Sequence, residues 1–409
     1  MPSLIWVNQF ALLPRDGGGT RHFELGRELV RRGWNVSILA ADFHLHARKY
    51  TRRSSAGDRE SKCEVQDGVE LRWLWAAPYS RNDWRRARNW MTFYRSVVRE
   101  ARRFPQAPDV VIGSSPQIFA ASAGRALARK FDVPFVFEVR DLWPESLIAA
   151  GGRKGIAHHL IDRAATGLYR DAHRILVLAR GTADYLVGRG IPREKLAHVP
   201  NGVDVSAIKP AAGEVDAAAR RDNAPVKLIY AGAHGPANGL DRVLDAAEIL
   251  GPAANVRFIL VGDGPSKGEL REHAARRGLS NVEFRDPVSK FALSSMLNSA
   301  DAGLMVLRES PLFAFGVSPN KLFDYLAAGL PVVCNVPGEV AEMLASAQAG
   351  VQAADGSAAA LAEGIRALVR LTPEQRRMKA EAGRRWVERE HSREALGERL
   401  DAFLRQLMT

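Results

Sequence analysis

The chain is poor in cysteine. Its 409 residues hold two, Cys63 and Cys334, far apart and with no partner Cys or His at metal spacing. That argues against a disulfide framework and against a zinc site, and leaves two free thiols as the expectation. Long apolar runs are also missing. The opening Leu4-Ile5-Trp6-Val7 gives way at once to Asn8 and Gln9, whereas a membrane-spanning helix needs roughly 18 apolar residues. The start therefore reads as a first strand and not as a signal peptide, and a cytoplasmic protein is expected. No internal repeat and no low-complexity tract interrupts the chain. No metal-binding acidic motif of the Asp-x-Asp kind sits in a suitable loop, so neither a metal nor a cofactor is expected. There is no GxGxxG turn, and no acidic residue ends the second strand where a dinucleotide ribose would need one, which lowers an NAD-enzyme reading.

What is present is a composition ordinary for a globular protein, 46% hydrophobic and 25% charged. The formal net charge is +12, which favours anionic partners: nucleotide, lipid phosphate, membrane surface or nucleic acid. Short apolar runs alternate with amphipathic helical stretches, the signature of an α/β chain with parallel sheets and helical crossovers. Strands are expected at Leu4–Phe10, Asn35–Ala40, Val69–Trp75, Val110–Gly113, Pro134–Val139, Arg174–Leu178 and Ala197–Val199, then at Val226–Ala231, Val256–Val261, Val282–Phe284, Ala302–Val306 and Pro331–Cys334. Two such series imply two doubly wound, Rossmann-like domains, residues 1–204 and 205–390. The Ala- and charge-rich stretch Asp204–Pro225 serves as linker, and residues 391–409 form a C-terminal helix packing back toward the first domain.

In open parallel sheets, ligands gather beyond the carboxyl ends of the strands, so the loops leaving strands matter most. The first carries Gly17-Gly18-Gly19 before Thr20, a good N-cap, and a helix. Three glycines allow close backbone approach, and the helix start favours an anion; a flexible turn is the plainer alternative. A later helix start reads Ser318 as N-cap and Pro319 as first helical residue, with Asn320 and Lys321 in the first turn. A lysine there opposes the helix dipole unless a bound phosphate reverses the sign. Asp324 lies on the same face and could accept the hydroxyls of a ribose, or simply pair with Lys321. A third loop gathers Glu138, Arg140, Asp141, Trp143 and Glu145, either a polar site or a salt-bridged cluster. Finally, residues 80–104 interleave Trp84, Trp90, Phe93 and Tyr94 with Arg81, Arg85, Arg86, Arg88 and Arg95. This basic amphipathic helix suits a membrane surface or lipid-diphosphate acceptor, or else a solvated face over an aromatic core. No recognition motif supports nucleic acid.

The segment NKLFDYLAAGLPVV resembles the donor-site closure of retaining GT-B glycosyltransferases of family 4, in particular the bacterial surface-polysaccharide branch with the fucosamine transferases of O-antigen synthesis. DGGGTRHFELGRELVRRGWNV, FVFEVRDLWPESL, VPNGVD and FILVGDGPSKGEL are similar to further family segments, so the likeness spans almost the whole chain. It implies a GT-B fold, two Rossmann-like domains facing a central cleft, and a nucleotide-sugar donor, with UDP as the expected nucleotide and GDP as the alternative. It implies Gly17, Gly18, Gly19, His234, Asn320, Lys321 and Asp324 at the donor, with Lys321 as the main cation at the diphosphate. Asp141 or Glu145 would orient the acceptor, while Arg140, Trp143, Trp84 and Arg85 would bind it. The acceptor would be a glycan or a polyprenyl-diphosphate-linked one, with peripheral contact at the inner face of the cytoplasmic membrane. The family usually carries Glu-x7-Glu here; the second falls on Asp324 and the first on Gly316, with Glu309 the nearest substitute. Two competing expectations are a sugar-nucleotide 2-epimerase and a non-catalytic nucleotide-binding subunit.

Overall fold

The computed structural model describes residues 1–16, 18–45, 47–81, 83–149, 155–208 and 224–408. Gly17 and most of the expected linker lie outside them. Two compact units divide the chain, Met1–Pro200 with Leu396–Thr409, and Asn201–Ala395. The crossings therefore fall at Pro200 and Ala395, a few residues before and after the boundaries expected at 204 and 390.

The first unit runs β1 (Ser3–Val7), α1 (Arg21–Arg31), β2 (Asn35–Ala41), β3 (Lys62–Gln66), β4 (Val69–Leu74), α2 (Trp84–Glu100), β5 (Val110–Ser114), α3 (Ile118–Phe131), β6 (Phe135–Val139), α4 (Glu145–Ala149), α5 (Ile156–Asp171), β7 (Arg174–Val177), α6 (Arg180–Gly188) and β8 (Leu196–His198). Its eight strands are ordered β3-β4-β2-β1-β5-β6-β7-β8. All neighbours are parallel except β3, which pairs antiparallel with β4. Alternation decides which face each strand residue serves. Leu4, Trp6, Ile112 and Val136 join a core with Phe23 and Leu29 of α1 and with Leu396, Leu400 and Phe403 of the last helix. The alternate residues look the other way, where Phe137 lies 5.3 Å from Tyr169 of α5. On that face α3 packs between α2 and α5.

The second unit runs β9 (Val226–Ala231), α7 (Leu240–Leu250), β10 (Val256–Val261), α8 (Lys267–Arg276), β11 (Val282–Arg285), α9 (Lys290–Asn298), β12 (Ala302–Met305), α10 (Asn320–Ala327), β13 (Val332–Cys334), α11 (Glu339–Ala347), β14 (Gly350–Gln352), α12 (Ala358–Arg370) and α13 (Pro373–His391). Six parallel strands lie in the order β11-β10-β9-β12-β13-β14. One core packs Ile229, Ile259 and Met305 against α10, α11 and Trp386 of α13. The other packs Tyr230, Phe258 and Leu304 against α7 and α12. A full capping box at Thr372 opens α13. The final helix α14 (Arg393–Arg405) returns to the first unit from Leu396 onward.

Both sheets are therefore doubly wound α/β. The expected strands occur with ends shifted by one or two residues in most cases. The first is shorter, because Asn8 and Gln9 turn off the sheet into side-chain hydrogen bonds. β3 and β14 were not expected. Cys63 and Cys334 are free thiols, the first exposed and the second buried.

Candidate functional site

A doubly wound sheet has a crevice where its strand order reverses. In the second unit that point lies between β9 and β12, and the residues there converge. Lys321, in the first turn of α10, donates from Nζ to Tyr230 Oη at 3.1 Å and to Asn238 Oδ1 at 3.2 Å. Its ammonium also sits 4.4 Å from the centre of the Tyr230 ring. Tyr230 is the next-to-last residue of β9, and Asn238 lies in the β9–α7 loop. Among the described residues no carboxylate pairs with Lys321, so the Lys321–Asp324 pair is not formed. Burial lowers the Lys321 pKa to about 8. Asp324 is half-buried one turn along.

Close packing fixes this geometry. A methyl group on Gly303 of β12 would come within 2.5 Å of the Tyr325 ring, so only glycine lets α10 lie on the strand. Tyr325 Oη then accepts from Ala231 N at 2.9 Å, which ties α10 to β9. The β9 and β10 loops touch through backbone: Gly262 has φ +142° and a Cβ there would meet Gly232 O at 1.9 Å. His234 N donates to Asp263 O at 2.8 Å. The His234 ring is fully buried beside Tyr230 and Phe284. Neither ring nitrogen has a hydrogen-bond partner among the described residues. Burial, then Lys267, lowers its pKa, so the imidazole is neutral.

The start of α10 differs from expectation by one residue. Pro319 occupies the cap position and Asn320 is the first helical residue. Ser318 cannot cap, because its Oγ accepts from Asn201 N at 2.9 Å and its carbonyl accepts from Asn201 Nδ2 at 2.7 Å. Gly316 has φ +73°, a conformation that disfavours a glutamate. The Glu309 side chain lies near Gly356, where a Cβ would be 3.8 Å from its Oε2.

In the first unit the strand order reverses between β1 and β5. Gly18 and Gly19 are exposed in the loop after β1. Thr20 does not cap α1 with its side chain; its hydroxyl instead bonds Glu24. Beneath the loop lies a buried network. Glu138 of β6 accepts from Arg21 Nε at 3.0 Å and from Ser114 Oγ at 2.6 Å, and His22 Nε2 lies 2.9 Å from its carboxylate. Arg21 Nη2 also donates to Val199 O at 2.7 Å. Burial drives the His22 pKa down to about 4, against the pull of Glu138. Burial opposes ionisation of Glu138, but His22, Arg21 and Arg140 together hold its carboxyl well below the usual range. The imidazole is thus neutral beside an ionised carboxylate.

The loop after β6 is pinned by Ser115, whose Oγ accepts from Arg140 N at 2.8 Å and from Asp141 N at 3.1 Å. Asp141 has an open surface, yet the protein mass around it raises its carboxyl, with Arg140 opposing. Glu145 has other partners: Tyr185 Oη donates to it and Arg189 Nη1 lies 3.8 Å away. That ties α4 to α6. Trp143 packs beneath the loop, 5.7 Å from Trp90 in an edge contact. Trp84 is exposed at the start of α2, and Arg85 pairs with Asp83 at 3.1 Å.

Sequence reasoning singled out Lys321, Asn320, Asp324 and His234, and these share the α10–β9 region. It missed Tyr230 and Asn238, which hold Lys321, and it named Glu138 but not its partners Arg21, His22 and Ser114. Polar residues near the ends of apolar strands, Glu138 next to last in FVFEV and Ser114 last in VVIGS, were the available signal.

The chain matches two family models, a glycosyl transferase 4-like domain over residues 16–202 and a glycosyl transferases group 1 domain over 225–370. A putative colanic acid biosynthesis glycosyl transferase, WcaI of Escherichia coli K12, is 27% identical over 231 residues, covering 54% of this chain and 56% of that protein. The match thus spans about half the length of that relative. Among solved structures, sucrose-phosphate synthase of Thermosynechococcus elongatus superposes with TM-score 0.76 at 16% identity, covering 100% of this chain and 99% of that one. HepE of Anabaena, in complex with UDP and glucose, gives TM-score 0.69 at 15% identity over 99% and 100% of the two chains. Both likenesses concern the GT-B fold.

Proposed function

Because this chain belongs to the glycosyltransferases, with a 4-like domain followed by a group 1 domain on two Rossmann-like units, we propose that it transfers a sugar from a UDP-sugar. The acceptor is a glycan or a polyprenyl-diphosphate-linked glycan in surface-polysaccharide synthesis, and the anomeric configuration is retained. The observation that carries this reading is Lys321: a half-buried ammonium with no carboxylate partner among the described residues, at the strand-order reversal of the second sheet and at a helix start. Such a group fits the leaving diphosphate, whose charge grows in the transition state. Asn320 and the buried, neutral His234 serve the same anion, and Asp324 the ribose. The relative in colanic acid synthesis and the UDP bound by HepE support the choice of pathway class and base. Retention by front-face attack would let the leaving phosphate take the acceptor proton, so no protein nucleophile is needed. Asp141 is proposed to orient the acceptor; the Tyr185 and Arg189 contacts of Glu145 make it the weaker candidate. Gly18, Gly19, Arg140, Trp143, Trp84 and Arg85 are proposed as donor-loop and acceptor contacts. The proposal needs no metal. No helix among the described residues is long and apolar enough to cross a membrane.

Thermal shift with UDP, GDP, ADP and NAD tests the donor, since binding to the native state alone raises its stability. UDP should stabilise most; a response to NAD alone would overturn the reading. The glycine at position 316 favours one second reading, a subunit that binds nucleotide without turnover. Release of UDP from a UDP-sugar panel with acceptor extracts decides between them.

A further inference from the structure

A lysine ammonium carries three N–H donors on a flexible four-carbon stem. Such a side chain samples many rotamers, and ordering it on an anion costs entropy. The second unit removes that freedom from Lys321. Its stem passes the backbone just after β9, where a Cβ on Gly232 would come 3.2 Å from both Lys321 Cδ and Tyr230 Oη, tighter than ordinary contact. The missing side chain at position 232 thus leaves room for the stem. At the tip, one N–H goes to Tyr230 Oη at 3.1 Å and a second to Asn238 Oδ1 at 3.2 Å.

The direction of the first bond is fixed. The Tyr230 hydroxyl gives its own proton to Ala233 O at 2.7 Å, so toward Lys321 its oxygen can only accept. The Tyr230 side chain is fully buried, and β9 holds it between β10 and β12 in the middle of the sheet. Asn238 is set by a different element. Ala237 O, one residue before it, accepts from Arg308 N at 3.0 Å. A Cβ on Gly239, one residue after it, would come 2.9 Å from the same Arg308 N. The β9–α7 loop is therefore held against the segment after β12 on both sides of Asn238. Two separate elements grip one ammonium, and a single N–H is left over. We propose that Tyr230 and Asn238 are positioning residues of the donor site: by taking two of the three Lys321 N–H groups, they aim the third at the leaving phosphate before the nucleotide arrives. This rests on the reading of Lys321 as the cation at the diphosphate, and it adds two residues that need not touch the nucleotide. A donor fixed in advance binds without the ordering cost and needs no reorganisation as charge develops on the leaving group.

Titration of the full chain with UDP, and with uridine as the phosphate-free probe, tests it. Tyr230→Phe keeps the ring beneath the ammonium and removes only the acceptor; Asn238→Ala removes the other. Each should weaken UDP binding by about fivefold to tenfold and lower kcat with a UDP-sugar by about tenfold. Uridine affinity should stay within about twofold, since the lost aim concerns phosphate alone. On a Lys321→Ala background neither substitution should weaken UDP further, because no ammonium remains to be aimed. Damage to the fold would instead weaken uridine as well and would add to Lys321→Ala. UDP affinity unchanged or raised in both variants, or full additivity with Lys321→Ala, overturns the inference while the donor reading stands. Absence of UDP binding, or UDP binding indifferent to Lys321→Ala, strikes the donor reading itself, and this inference falls with it.

Discussion

Lys321 carries a charge that the fold itself does not neutralise. Its folded pKa of about 8 lies below the ordinary value of 10.5. The protonated form therefore costs up to ~3 kcal/mol in the ligand-free protein. That stability is present above the unfolded value and is lost as pH falls through about 8. A bound diphosphate reverses the balance, because it favours the ammonium. Affinity for UDP should thus be flat below the free pKa of about 8 and fall by up to tenfold per pH unit above it. Titration calorimetry across that range checks the slope, and Lys321→Ala should remove it. The same variant should lower turnover by roughly 10²–10³ if the ammonium stabilises the leaving group; near-wild-type turnover would take Lys321 out of the site. Lys321 and Asp324 were legible because a cation in a first helical turn is a local anomaly. Tyr230 and Asn238 were not, because only tertiary folding brings β9 and its loop onto α10.

At the scale of elements, the first turn of α1 is bolted to β5 and β6 through Glu138. The Glu138 and Arg21 side chains are 0% and 3% exposed, so removing the carboxylate strands a buried guanidinium. Glu138→Gln should cost roughly 3–5 kcal/mol, read as a lowered midpoint in urea. Acid should act on the same elements. Native His22 and His198 take protons only near pH 4, whereas the unfolded chain does so near 6.5, burial being the main cause for each. Stability from their neutral burial is present above 6.5 and is lost as pH falls toward 4. Each histidine should contribute up to ~1.4 kcal/mol per pH unit in that window, and His22→Asn should flatten the measured slope. Period and length made most of the strands legible, since buried parallel strands are continuous apolar runs. β3 escaped because it is an edge strand of alternating charged residues. Its signal was there in Asp67-Gly68, both at positive φ, the two-residue turn that closes a hairpin. β14 has three residues and no pattern to read. The caps at Thr20 and Ser318 misled for a different reason: Glu24 and Asn201 claim their hydroxyls, and that competition is invisible in local sequence.

For the whole molecule, the decisive question is what neutralises the diphosphate. The chain has a net charge of +12, but scattered surface arginine is screened within roughly 10 Å at ordinary ionic strength. It steers an anion without stabilising a transition state. Charge that acts on the reaction must be fixed, and Lys321 at the α10 start is held by Tyr230 and Asn238 and half-buried. A site supplied in this way has no need of a divalent cation between protein and phosphate. UDP-sugar turnover should therefore stay within about twofold after dialysis against EDTA, and added magnesium should not restore activity to Lys321→Ala, since no cluster of three or more metal-ligating side chains occurs among the described residues. A steep loss with EDTA, recovered by a divalent metal, would move the source of charge from the lysine to an ion. The same measurement at rising salt separates the two kinds of charge: the KM for donor should increase as steering is screened, while kcat should change little if the fixed Lys321 ammonium acts on the leaving group as proposed.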